Sequence, residues 1–299
     1  MPSVALVAIV RDEERSIGRM IYSAKDLVDE VIIVDTGSRD DTVTIARAAG
    51  AKVTHFDWIG DFAAARNMSL QLTAAPWRLI LDADEWLAPE TDDLRNFCRQ
   101  EAVFVGRIKI SSGFHSEVSG RRQLSHAHSW VSRLLPYGVK YVGKIHEQPE
   151  HNFPIRNVPI YAWHDGYEDA QLQRKGDRNY RMLQKLISAG EADSYYRFQY
   201  ARELVRKRWV DEAAAQLLMA LSASSDGLLW RKDFVCLSLN VFGSAKRFDD
   251  GIALIEKERD RYSKSSDFWF CVGGFYMDLA QARPWLGTKV LELIEFAFL

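Results

Sequence analysis

Val4-Ala-Leu-Val-Ala-Ile-Val10 runs straight into Arg11-Asp-Glu-Glu-Arg15. Seven consecutive apolar residues without alternation are the signature of a strand covered on both faces, as in a parallel sheet. Val31-Ile-Ile-Val34 reads as the next strand, Lys52 to Phe56 as a short one and Trp77-Arg-Leu-Ile-Leu81 as a fourth. Between these runs lie helical stretches. Glu13 to Leu27 carries Ile17, Met20, Ile21, Ala24 and Leu27 at three- and four-residue spacing, and Asp41 to Ala49 and Asp61 to Thr73 also read as helices. Strands alternating with helices predict right-handed βαβ units and an α/β fold with a mainly parallel, Rossmann-like sheet.

Outward from that half, the texture changes twice. From about Ala102 to Trp163, strand-like runs (Val103 to Ile110, Trp130 to Leu135, Ile160 to Trp163) are separated by polar loops with no clear helix. Six of the seven histidines fall between His115 and His164. This stretch is expected to cover a site. After Glu168 the chain reads as helical to its end. Tyr196 to Arg206 and Val210 to Leu221 form a helix pair, Leu204, Val241 and Leu279 recur at about 37-residue spacing, and Trp209-Val-Asp-Glu-Ala resembles Phe248-Asp-Asp-Gly-Ile. A period in the mid-thirties signals stacked helical hairpins of tetratricopeptide (TPR) type. The expected division is residues 1–188 for the α/β domain and 189–299 for an all-α, TPR-like helical-repeat region.

The chain has 299 residues, a net charge of -2 and a 47% apolar fraction, so nothing in its charge attracts it to nucleic acid or anionic lipid. Cys98, Cys236 and Cys271 are odd in number and far apart, which excludes a disulfide framework or metal knuckle and fits a reducing compartment. The first apolar run is too short for a signal-peptide core, and no stretch approaches the roughly 18 apolar residues that cross a bilayer. The expected location is cytoplasmic. Nine tryptophans are read as core and helix packing first, Trp130 and Trp163 included.

The ends of the strands carry the chemistry. Open parallel sheets bind ligands beyond the carboxyl ends of their strands. Here those ends are Arg11-Asp-Glu13, Asp35-Thr-Gly-Ser38 and Asp82-Ala-Asp-Glu85. So many acids on one rim repel unless a cation sits among them. Hard cations such as Mg2+ and Mn2+ bind through one or two carboxylates plus substrate phosphates. Each piece also has a plainer reading. Asp35 suits a turn or helix cap, and Asp82, Asp84 and Glu85 suit a solvated turn. His115, His126, His128 and His151 read as structural. The combination of Asp35, Asp82 and Asp84 at strand ends favours a metal with a phosphorylated ligand.

In order, Val10-Arg-Asp-Glu-Glu14, Val34-Asp-Thr-Gly-Ser-Arg-Asp-Asp-Thr42, Asp61-Phe-Ala-Ala-Ala-Arg-Asn67 and Leu81-Asp-Ala-Asp-Glu85 resemble family 2 glycosyltransferases of GT-A fold. Tyr141-Val-Gly-Lys-Ile-His-Glu-Gln148 and Trp163-His-Asp-Gly-Tyr167 are similar to the subgroup that joins this domain to C-terminal tetratricopeptide-like helices. The resemblance implies an inverting transfer from a nucleotide-diphosphate sugar, with UDP the expected carrier, and Mn2+ or Mg2+ as cofactor. It implies that Arg11, Glu13 and Asp35 line the nucleoside pocket, that Arg66 and Asn67 border the donor, and that Asp82 approaches ribose or metal. It further implies that Asp84 and His164 ligate the metal, with Gly143 in a loop over the donor and Glu147 as the base. Because Ile-His-Glu replaces an acidic pair there, His146 is left as a ligand or diphosphate contact.

Two other classes compete. A sugar nucleotidyltransferase needs a Gly-rich basic loop after the first strand, where this chain has Val10-Arg-Asp-Glu-Glu14. A helical-repeat scaffold with a non-catalytic domain has no reason to keep charges on a sheet rim. The acceptor is left open among a glycan, a lipid-linked sugar, a peptide side chain and a small metabolite. The helical tail is read either as a surface for acceptor or protein partner, or as a homodimer contact through the apolar end Ile294-Glu-Phe-Ala-Phe-Leu299.

Overall fold

The computed structural model describes residues 3–89, 91, 94–118, 121–165, 169–224 and 230–286, with side chains not described at 114–124 and 166–176. Two compact units divide the chain, residues 1–175 and 176–299. The expected boundary at 188 is the last residue of the helix Asp169–Ser188, which runs across that division. The expected apolar end, Val290–Leu299, lies outside the described residues, as do Gly166 and Tyr167.

The first unit opens as the sequence predicts. Strands β1 (Val4–Val10), β2 (Glu30–Asp35), β3 (Lys52–His55) and β4 (Trp77–Ile80) alternate with helices α1 (Ile17–Ala24), α2 (Thr42–Ala48) and α3 (Phe62–Gln71). β1 pairs in parallel with β2 and β4, and β2 with β3. The sheet buries β1 on both faces. Leu6, Ala8, Met20, Ile21 and Leu79 form one core layer, and Ala5, Val7, Ile32, Ala63, Leu70 and Ile80 the layer on the α3 side. α3 starts where the Asp61 carboxylate accepts a hydrogen bond from the Ala64 N–H at 2.9 Å, satisfying one of the donors a helix leaves open at its start.

The middle of the chain extends this sheet. β5 (Glu85–Leu87), a short α4 (Leu94–Phe97), β6 (Val105–Val118), β7 (Arg121–Pro136) and β10 (Ile155–His164) give the strand order β3-β2-β1-β4-β7-β6-β10-β5. The antiparallel β6–β7 ribbon is much longer than the apolar runs at 103–110 and 130–135 suggest. β7 pairs antiparallel with β4, while β10 lies parallel to β6 and antiparallel to β5. The sheet is therefore mixed, with its parallel half formed by the N-terminal strands. A small hairpin, β8 (Lys140–Val142) and β9 (Gln148–Glu150), carries the Gly143–Glu147 loop.

The second unit is helical. After α5 (Asp169–Ser188) come α6 (Ser194–Arg206), α7 (Val210–Ala223), α8 (Arg231–Ser244), α9 (Phe248–Glu258) and α10 (Ser266–Ala282). α7 and α9 begin 38 residues apart. α6 and α8 stop in the same way. Arg208 and Lys246 adopt left-handed backbone (φ 61° and 57°), and the next N–H reaches back to Leu204 and Phe242 carbonyls respectively. This is the Schellman closure, here without glycine. The shared closure and spacing bear out the expected helical repeat.

Candidate active site

Five charged side chains from four segments meet on the α3 side of the sheet rim. Arg66 on α3 is buried, and its Nε donates to Glu147 Oε1 at 2.5 Å while Nη2 donates to Asp82 Oδ1 at 2.8 Å. Arg133 on β7 donates through Nη2 to the other Asp82 oxygen at 2.6 Å and to Glu85 Oε1 at 2.7 Å. The second Glu85 oxygen accepts the Asp82 N–H at 2.9 Å, closing the Asp82–Glu85 turn. Arg133 is placed by a β-bulge. Gly106 pairs with Leu134 but Arg107 with Ser132, so Arg133 is the extra residue, and bulges re-aim side chains in this way.

Burial and pairing oppose each other throughout the cluster. Burial alone would raise the Asp82 carboxyl, yet the guanidinium groups of Arg133 and Arg66 hold it well below the usual carboxylate range. Burial would lower Arg66 too, but Asp82 and Glu147 keep it firmly protonated. Glu85 goes the other way. Burial pushes its carboxyl up, Asp82 and Asp84 add to that, and Arg133 only partly compensates. Two donors remain unused. Nη1 of Arg66 and Nε of Arg133 are buried with no hydrogen-bond partner among the described residues, an arrangement that costs free energy unless an acceptor arrives.

Next to this cluster, the expected metal ligands Asp84 and His164 meet. Asp84 is buried, and its Oδ2 lies 3.5 Å from His164 Nε2. The other ring nitrogen of His164 is 3.2 Å from Ser112 Oγ, the kind of outer contact that fixes a ligand imidazole. The Asp165 N–H donates to the Asp84 carbonyl at 3.3 Å. Among the described residues no three His, Cys, Asp or Glu side chains form a ready metal cage. Asp82, expected to approach the ribose or the metal, has one oxygen on Arg66 and the other on Arg133. A carboxylate and an imidazole side by side still match a hard or borderline divalent ion that takes its other ligands from phosphate and water.

The remaining expected residues fall in two places. Asn67 fastens the loop that bears Glu147. Its Nδ2 donates to the Tyr141 carbonyl and its Oδ1 accepts the Tyr141 N–H, both at 2.8 Å. The loop then turns through Gly143 (φ 97°) and His146 (φ 53°), and the Lys144 carbonyl accepts the Phe62 N–H at 2.9 Å. Arg11, Glu13 and Asp35 sit at the β1 and β2 ends. Arg11 is exposed, 3.9 Å from Asp12. Glu13 accepts from Ser16 Oγ at 2.8 Å, and its N–H donates to Thr42 Oγ1 at 2.7 Å. Asp35 accepts the N–H groups of Gly37 and Ser38, both at 3.1 Å. Burial alone would raise the Asp35 carboxyl, but bonds from Ser38 and Gly37, with His55 beyond them, set it below its ordinary value of 3.8. The turn reading of Asp35 is thus present in the structure.

Sequence reading missed Arg133 and gave Glu85 no role. The one available signal was a lone charge inside Trp130-Val-Ser-Arg-Leu-Leu135, since a charge in a buried strand needs a partner.

The family model for glycosyl transferase family 2 matches residues 5–151. A TPR repeat-containing protein of Synechococcus elongatus is 52% identical over 239 residues, 72% of this chain and 57% of that protein. The SPbeta prophage-derived glycosyltransferase SunS of Bacillus subtilis is 26% identical over 215 residues, 68% of this chain and 49% of that protein. The chain thus spans about half the length of the curated relatives it matches. A crystal structure of glucosyl-3-phosphoglycerate synthase from Mycobacterium tuberculosis with Mn2+, UDP and glucosyl-3-phosphoglycerate aligns with 37% of this chain and 43% of that one, at 25% identity and a TM-score of 0.30.

Proposed function

Since this chain belongs, through residues 5–151, to glycosyl transferase family 2, we propose that it moves a sugar from a UDP-sugar to an acceptor hydroxyl or thiol with inversion at the anomeric carbon. One observation carries this reading. Two buried arginines hold the rim carboxylates and each keeps a buried N–H without a partner, which suits an incoming anion such as a diphosphate.

Asp84 and His164 are the side chains that would hold Mn2+ or Mg2+. When bound, that ion supplies charge stabilisation at the departing diphosphate. The protein's own groups do the rest. Arg66 and Arg133 hold Asp82 in place, each with one buried N–H left over. Asp35, with Arg11 and Glu13 near it, lines the nucleoside end. Gly143 and His146 shape the loop that Asn67 pins. Glu147, the base in this reading, takes the acceptor proton as the acceptor atom bonds to the anomeric carbon and the bond to the diphosphate breaks. Because Glu147 is paired to Arg66, the base is positioned before substrate arrives. The helical unit serves recognition of acceptor or protein partner, as concave repeat surfaces do.

Incubation with a panel of UDP- and GDP-sugars and Mn2+ tests this. A UDP-sugar is expected to release UDP, and Glu147→Gln is expected to slow transfer by about 10²- to 10⁴-fold. No nucleotide release from any donor would overturn the transferase reading and favour a non-catalytic scaffold.

A further inference from the structure

A pocket of about 350 Å³ opens on the sheet beyond Arg133, lined by Lys109, Ser111, His128, Tyr161 and Trp163. Its position follows from strand register. Val105 packs in the core layer on the α3 side, so by alternation Lys109 and Ser111 also face that side, while Ile108 and Ile110 enter the opposite layer. Lys109 pairs with Trp130 and Ser111 with His128 across the ribbon. Tyr161 and Trp163 pair with Lys109 and Ser111 on the other side. The pocket therefore shares a sheet face with the arginine–carboxylate cluster. His164, one residue beyond Trp163, turns by the same alternation to the opposite face, beside Ser112.

The walls are built rather than incidental. The His126 ring meets the Trp163 ring edge-on at 5.5 Å between centroids, and His126 Nδ1 lies 3.5 Å from Ser111 Oγ. One imidazole thus braces both the aromatic wall and a polar group. The sequence reading of His126, His128 and Trp163 as packing residues does not account for a pocket that they line or brace.

We propose that this pocket is the acceptor subsite and that its ligand is a saccharide, a deepening that rests on the transferase reading above. The apolar face of a sugar ring would lie on Trp163, with Lys109, Ser111 and His128 as hydrogen-bond partners for its hydroxyls. The size is at the small end of the roughly 300–1,000 Å³ typical of ligand sites, room for one or two rings. An extended peptide fits worse. Strand addition uses the backbone groups of a free sheet edge, whereas this pocket is lined by side chains on the face of β6, β7 and β10.

Saturation-transfer NMR on the full chain tests this with a defined mixture of methyl glycopyranosides and short oligosaccharides. Ring protons of at least one saccharide are expected to receive saturation from the wild type. Trp163→Ala should weaken that saccharide by about tenfold, the scale of a lost aromatic contact, and Trp163→Phe should restore most of it, which separates loss of the wall from loss of fold. Lys109→Met, at a partly exposed position, should also weaken it. No saccharide contact with the wild type, or contact unchanged in Trp163→Ala, overturns the proposal. A parallel UDP titration of the wild type keeps the two readings apart. UDP binding without saccharide contact defeats the subsite alone, and saccharide contact without UDP binding defeats the transferase reading.

Discussion

Arg66 connects two carboxylates that the chain separates widely, Asp82 after β4 and Glu147 in the β8–β9 loop. Its side chain is 9% exposed and that of Glu147 10%, so the pair lies where charges need each other. Arg66→Met strands Glu147, because Arg133 already bridges Asp82 and Glu85. The expected cost is about 3–5 kcal/mol in denaturant unfolding of the full chain, the range for removing one partner of a buried ion pair. A loss below about 1 kcal/mol, the level of an exposed pair, would show that the cluster is solvated. Asp35 makes a separate prediction in acid. Its folded pKa is lowered, so its stabilisation is complete above the unfolded value and is lost as pH falls through the folded one. Between about pH 6 and pH 2, wild-type stability should fall more steeply than that of Asp35→Asn. Parallel curves would mean that the Gly37 and Ser38 N–H bonds do not depend on the charge.

At the scale of elements, legibility in the sequence followed burial. β1, β2 and β4 were readable because strands covered on both faces are largely continuous apolar runs. The outer ribbon was not. Ser111 to Val118 and Arg121 to Ser129 are mostly polar, yet they pair along most of β6 and β7, because backbone hydrogen bonding needs no apolar side chains. β8 and β9 are too short to show a pattern. Asp84 and His164 were brought together by the family resemblance, but Arg133 was not, since its partners belong to other segments and a bulge aims it. In the helical unit the repeat has a testable weak point. Gly251, aligned with Ala213 by the starts of α9 and α7, lies against the Phe275 ring so closely that a Cβ would overlap it. Gly251→Ala is expected to destabilise the helical unit by about 1–3 kcal/mol, as overpacking does. Thermal unfolding followed by helical circular dichroism checks this, and an unchanged or higher midpoint would contradict the packing described.

For the whole molecule, a domain that the glycosyl transferase family 2 model matches over residues 5–151 is followed by a unit of paired helices. Among the described residues no helix is long and apolar enough to cross a membrane. The central claim is that the rim takes a diphosphate together with a divalent ion held by Asp84. Calorimetric titration of UDP into the wild type and Asp84→Asn, each with and without Mn2+, measures this most directly. The wild type is expected to bind UDP at least about tenfold more tightly with Mn2+, a difference of about 1.4 kcal/mol, and Asp84→Asn is expected to lose that gain. UDP binding of equal strength in all four titrations would contradict it.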